Sequence, residues 1–155
     1  MNAPGWHIAQ FNAARAIAPY ESAEMASFMA LLEDINALGE SAPGFVWRMK
    51  NAEGHTIGIG AHPDPLVVFN LSVWKSIDDL FTYAYRSGHA DVFRRRKEWF
   101  GRWEGAHLVL WWIPEGAQPN MDDALRRLDL LSRDGPSSDA FTFKTRFDPP
   151  AMSST

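Results

Sequence analysis

The chain has 155 residues, no cysteine, 46% hydrophobic and 22% charged residues, and a formal net charge of −4. This composition describes one soluble globular domain, residues 1–155, long enough to bury a proper core. It excludes disulfides, thiolate metal sites and cysteine nucleophiles, and the negative charge disfavours nucleic-acid binding, which needs a basic surface to release counterions.

The first residues, MNAPGWHIAQFNAAR, lack the basic start and apolar stretch of a secretory signal. The longest apolar run, LVLWWI, is too short to span a bilayer. The expectation is a cytoplasmic protein with no membrane partner. Residues 6–13, WHIAQFNA, read as a first strand. Pro19 and Glu21-Ser22 open a helix on which Met25, Phe28, Met29, Leu32 and Ile35 recur at spacings of three and four, one apolar stripe. Gly39 reads as its C-terminal stop. In GFVWRMK, 44–50, Phe45, Trp47 and Met49 alternate with Arg48 and Lys50, a half-buried strand with the two basic side chains outward. NAEGHTIGIGAHPDP reads as loop with a brief extended piece at 56–59.

The run VVFNLSVW predicts a buried strand over about 66–74. Ser76 then caps a helix with Asp79 three residues on, and Ile77, Leu80, Phe81 and Ala84 form its apolar face. Gly88 interrupts this helix, and Ser87 is placed to cap a second segment running to about Trp99. The basic run Arg94–Lys97 reads as a solvated face. HLVLWWIPE, 107–115, is apolar on both faces and reads as a strand buried on both. Asn120 starts a last helix with Leu125, Leu128 and Leu131 inward, ended by Asp134-Gly135-Pro136. FTFKTRF, 141–147, alternates and reads as a strand or an arm packing on a neighbour.

The order β-α-β-β-α-β predicts an α+β fold, the ferredoxin-like split βαβ with one antiparallel sheet over about residues 6–115; the last helix and arm, 120–147, are appended. Helices cover one face of such a sheet. The other face then needs a cover of its own, and a second copy of the chain supplies it, so a homodimer is expected.

Alternate strand residues share a face. Val67, Phe69, Leu71 and Val73 form an apolar set, whereas Asn70, Ser72 and Trp74 form a mixed one. The first strand repeats the contrast with Gln10 and Asn12. Since these strands are central neighbours in the expected fold, Gln10, Asn12, Asn70 and Ser72 converge on one patch. Unpaired buried amides and hydroxyls cost about 1–3 kcal/mol each, so the patch implies either mutual hydrogen bonds or a wet cavity. With aromatic walls, the latter is the form of a small-ligand site. His89 is a further candidate. In a continuous helix it lies on an inward stripe with Tyr85 and Phe93; in a helix restarting at Ser87 it sits in the first turn, where the dipole favours the neutral ring.

NLSVWKSIDDLFTYAYRSGHADVFRRRKEWF resembles the dimeric α+β barrel superfamily of antibiotic-biosynthesis monooxygenases and related haem-degrading enzymes. HIAQFN, PGFVWR, SVWKSIDDL, LVLWWIP and AFTF extend this to a closer resemblance with an uncharacterised bacterial family within it. The resemblance implies a homodimer with a pocket between sheet and helices in each protomer. In monooxygenases of this type that need no cofactor, Asn and Trp line the pocket, and Asn70 and Trp74 match that spacing. The haem-degrading members imply haem as the alternative, with Asn12 and His89 in two of their places; their helical Trp is absent, and Tyr83 or Tyr85 stands nearest.

The functional expectation is a pocket for a small, flat, apolar substrate, with no cofactor or metal. Asn70 and Asn12 would orient a carbonyl or stabilise oxyanion charge, His89 would be the base, Trp74 would form the wall, and Ser72, Gln10, Tyr85 and Phe93 would complete the lining. A non-catalytic ligand carrier or interaction dimer is the rival of a different class.

Overall fold

The computed structural model describes residues 5–19, 22–49, 66–86, 94–101 and 105–150. Four strands, β1 (Trp6–Arg15), β2 (Phe45–Arg48), β3 (Val67–Trp74) and β4 (Leu108–Pro114), form one antiparallel sheet in the order β2-β3-β1-β4. Helix α1 (Ala26–Ser41) joins β1 to β2, and α2 (Ile77–Arg86) follows β3. This is the expected ferredoxin-like arrangement. A third helix, α3 (Met121–Asp134), follows β4. Among the described residues no helix is long and apolar enough to cross a membrane.

Local chemistry accounts for the helix ends. Ser76 Oγ accepts the Asp79 amide at 3.0 Å and Asn120 Oδ1 accepts the Asp123 amide at 2.8 Å, each satisfying a donor that the first turn leaves orphaned. A 3₁₀ turn over Ala23–Met25 leads into α1. Helix α1 does not stop at Gly39 but continues to Ser41. A Cβ at Gly39 would lie 3.1 Å from the Tyr83 hydroxyl, so this glycine serves the close approach of α2 to α1. Gly44 is required twice over: its φ is +83°, and a Cβ there would collide with the Asp79 carboxylate.

The register sorts side chains by parity. On the odd face, Ala9, Phe11 and Ala13 of β1, Phe69, Leu71 and Val73 of β3, and Val109, Trp111 and Ile113 of β4 form one continuous core. Leu71 and Val73 are 0% exposed within the single chain. Helix α3 packs Ala124, Leu128 and Leu131 into this core, with Arg127 laid over the Trp111 ring at 5.2 Å. The expectation that a second subunit covers this face is thereby corrected in its reasoning. The chain brings its own cover, because α3 is amphipathic and returns antiparallel to the strand that precedes it. Among the described residues only Ile17 and Tyr85 are large exposed hydrophobics.

The C-terminal arm, expected as a strand or as an arm on a neighbour, packs on its own chain. Phe141 bridges to Leu110 through two main-chain hydrogen bonds of 2.8 and 2.9 Å, which blunts the outer edge of β4. Ala140 lies in the odd-face core and Phe141 in the even-face core, so the chain crosses from one side of the sheet to the other at this edge. Trp112 Nε1 donates to the Phe147 carbonyl at 2.8 Å, and Phe143 packs on Phe81 and Tyr85.

Candidate ligand-binding site

On the even face the core is divided. At one end, Ile8, Trp74, Ile77, Leu80, Leu110 and Phe141 cluster with Tyr83 and Phe45. At the other, Ala16, Met25, Phe28 and Trp99 cluster with Ala14 and Phe100. Between them lie two cross-strand polar pairs, Gln10 opposite Ser72 and Asn12 opposite Asn70. Strand parity puts all four side chains on this face, and the register sets them side by side.

Gln10 and Ser72 are 4% and 6% exposed, whereas Asn12 and Asn70 are half-buried. The four are hydrogen-bonded to one another. Gln10 Nε2 donates to Ser72 Oγ at 3.0 Å, to Asn70 Oδ1, and to the Asn70 main-chain carbonyl at 3.3 Å. Asn12 Nδ2 donates to Gln10 Oε1 at 3.2 Å, and Trp74 Nε1 donates to Ser72 Oγ at 2.9 Å. The buried half of the row is therefore satisfied internally, one of the two outcomes that buried amides admit. At the half-buried end, Asn12 Oδ1 and Asn70 Nδ2 carry no hydrogen bond among the described residues.

The Trp74 end is filled. Tyr83 stacks on Trp74 with centroids 5.0 Å apart and planes at 27°, and Phe45 meets Trp74 edge-on at 5.5 Å. Trp74, 2% exposed, is thus a packed residue with its indole N–H tied to Ser72. Burial pushes the Tyr83 phenol up to about 12, with the positive charge of Arg48 acting weakly in the opposite direction, so at neutral pH its hydroxyl is no base.

The structure separates the expected site residues into three groups. Asn12, Asn70, Gln10, Ser72 and Trp74 come together as the strand pattern requires. Tyr85 does not join them: it is 39% exposed and packs on Phe81 and Phe143, because α2 turns its Leu80–Tyr83 side, not Tyr85, toward the sheet. His89 and Phe93 lie outside the described residues, as do the histidines at 55 and 62, so the expected base and the haem alternative rest on a position not described. Among the described residues no three His, Asp or Glu side chains are grouped to hold a metal ion.

Two neighbours of the row escape a reading by periodicity. One is Tyr83. The other is Arg48, expected to point into solvent. A register shift between Phe45 and Trp47 puts Phe45 opposite Trp74 and Arg48 opposite Ser72. The Arg48 side chain is accordingly 8% exposed and pairs with Glu40 of α1 at 3.2 Å. Phe45 and Trp47, expected on one face, stand on opposite faces for the same reason. No signal in the sequence marks this bulge.

The fold recurs among solved structures at low sequence identity. A conserved protein from Methanosarcina mazei Go1 superposes with a TM-score of 0.50 at 14% identity, over 71% of this chain and 93% of that one. A protein from Pseudomonas aeruginosa gives 0.48 at 12% identity, over 72% of this chain and 95% of that one. A Nitrosomonas europaea protein provisionally named an antibiotic biosynthesis monooxygenase gives 0.47 at 12% identity, over 77% and 99% respectively. At these identities the likeness concerns the fold alone. No curated protein matches the sequence. The family match is far more extensive: residues 7–155, which take in the sheet, the amide row, α3 and the arm alike, fit a single family model, and the chain belongs to the domain of unknown function family DUF3291.

Proposed function

We propose that this protein binds a small, flat, largely apolar molecule at the Asn12–Asn70 end of the even sheet face, and that it acts on it as a monooxygenase-like oxidoreductase needing no cofactor. The observation that carries the binding reading is the half-buried amide pair, with a spare acceptor and a spare donor, set between two aromatic clusters. Few polar groups among large rings is the composition of a small-molecule site. In the catalytic form of the reading, Asn70 Nδ2 would donate to an oxygen on which negative charge develops, and His89 would take the proton.

Calorimetric titration with a panel of aromatic ketones and quinones tests the binding half, and oxygen consumption with any compound that binds tests the catalytic half. Binding is expected to weaken at least about tenfold in Asn70→Ala with the fold retained, as loss of a hydrogen bond in a desolvated site predicts. Unchanged binding in that variant removes the role given to Asn70. Binding without oxygen uptake leaves a ligand carrier.

A further inference from the structure

Building on this ligand-binding reading, we propose that the Asn12–Asn70 pair recognises an edge on which a carbonyl and an N–H stand side by side, the edge of a flat lactam. An amide side chain can be turned end for end, so its free atom is ordinarily ambiguous. Here two groups in the row work in one direction only. The Asn70 main-chain carbonyl only accepts, and the Trp74 indole N–H only donates.

The amide atom of Gln10 that faces the Asn70 carbonyl at 3.3 Å is therefore its nitrogen. That nitrogen also meets Asn70 Oδ1, which leaves Asn70 Nδ2 as the free end. With its nitrogen so placed, Gln10 presents Oε1 to Asn12, and the atom reaching it at 3.2 Å is Nδ2. The free end of Asn12 is then Oδ1. Ser72 Oγ, accepting from Trp74 at 2.9 Å and from Gln10 at 3.0 Å, fits the same polarity. One backbone oxygen thus sets the direction of the whole relay, and what it offers is an acceptor beside a donor.

Asn12 and Asn70 are direct cross-strand partners, which places their Cβ atoms about 4.5–5.5 Å apart. Two such amides can meet adjacent atoms of one ligand edge. The complement of an acceptor beside a donor is a donor beside an acceptor. A cis-amide within a ring has that pattern, and a simple ketone or ether has only half of it. The ring that holds an amide cis also keeps it planar, so its carrier is a flat ring system.

Calorimetry with 2-quinolinone and N-methyl-2-quinolinone tests the proposal on the intact protein. The first is expected to bind, and the second, which lacks the donor, to bind at least about tenfold more weakly. Equal affinity for both overturns the lactam edge. So does a failure of 2-quinolinone alongside ketones that do bind, and in either case the ligand-binding reading survives; if no compound of either set binds, both readings fall.

The isosteric Asn70→Asp variant gives an independent arm. It keeps an oxygen for Gln10 and turns the free donor into an acceptor. It is expected to lose 2-quinolinone by about tenfold or more and to gain protonated 2-aminoquinoline, whose edge carries two donors, with near-ultraviolet circular dichroism unchanged. Retained 2-quinolinone affinity in that variant overturns the proposal.

Discussion

Tyr83 lies between Trp74 and Gly39: its ring stacks on the indole at 5.0 Å, and its hydroxyl stands 3.1 Å from where a Cβ on Gly39 would be. The contact ties α1, α2 and β3 together at the closed end of the amide row, and it sets two effects of one substitution against each other. In a helix, Gly→Ala ordinarily stabilises by about 0.5–1 kcal/mol. At position 39 the new methyl must displace a ring held on its other face by Trp74, and such overpacking costs about 1–3 kcal/mol. Gly39→Ala is expected to destabilise the wild-type protein and to stabilise the Tyr83→Ala background. Urea denaturation of the four proteins of the cycle measures both signs, and the same sign in both backgrounds refutes the contact.

Tyr83 also makes stability depend on alkaline pH. Burial holds its phenol at about 12 against 10 for a free tyrosine. The unfolded chain therefore loses this proton first. The stabilisation is complete below pH 10 and is lost as pH rises from about 10 to about 12. Two units correspond to about 2–3 kcal/mol. Denaturant midpoints across that window are expected to fall more steeply for the wild type than for Tyr83→Phe. Equal slopes would place the phenol in water.

Ser72 accepts from two buried donors, Gln10 Nε2 and Trp74 Nε1. Ser72→Ala orphans the buried indole N–H, at a cost of about 1–3 kcal/mol, and also removes one bond from Gln10 Nε2, which keeps both Asn70 oxygens as acceptors. In a Gln10→Leu background only the indole bond is lost, so the cost of Ser72→Ala is expected to be smaller there by about 0.5 kcal/mol or more. Additive costs in the double variant would mean that the relay is not a unit.

The C-terminal arm and α3 make predictions about assembly. Phe141 is wholly buried under its bridge to Leu110, and Phe141→Ala is expected to cost about 3–5 kcal/mol by chemical denaturation. The homodimer remains a proposal, and α3 moves it away from the odd face. Leu125→Glu, at the half-buried rim of α3, is expected to leave the mass measured by light scattering unchanged. A dimer that dissociates in that variant would return this face to the interface.

Much of the arrangement was legible in the residue pattern. Alternation in VVFNLSVW and WHIAQFNA assigned Asn70, Ser72, Gln10 and Asn12 to one face, because side chains alternate across a strand whatever surrounds it. The order of elements then brought those strands together. Caps at Ser76 and Asn120 were readable because an N-cap is satisfied within a single turn. Tyr83 and Arg48 were not readable, since each depends on a relationship that local spacing does not carry. Tyr83 lies between Gly39 of α1 and Trp74 of β3, two elements other than its own helix, and a one-residue bulge between Phe45 and Trp47 reverses the side on which Arg48 emerges.

The sequence by itself determined the strands, the faces of β1 and β3 and the concentration of amides on one of them, because periodicity and capping act over a few residues. Only the tertiary structure decided that α3 covers the opposite face, that the buried amides satisfy one another, and that the Asn70 carbonyl orients the whole row. The last of these turns on Gln10 meeting residues sixty or more positions away in the chain, where the direction of a hydrogen bond follows from what the fold places opposite it.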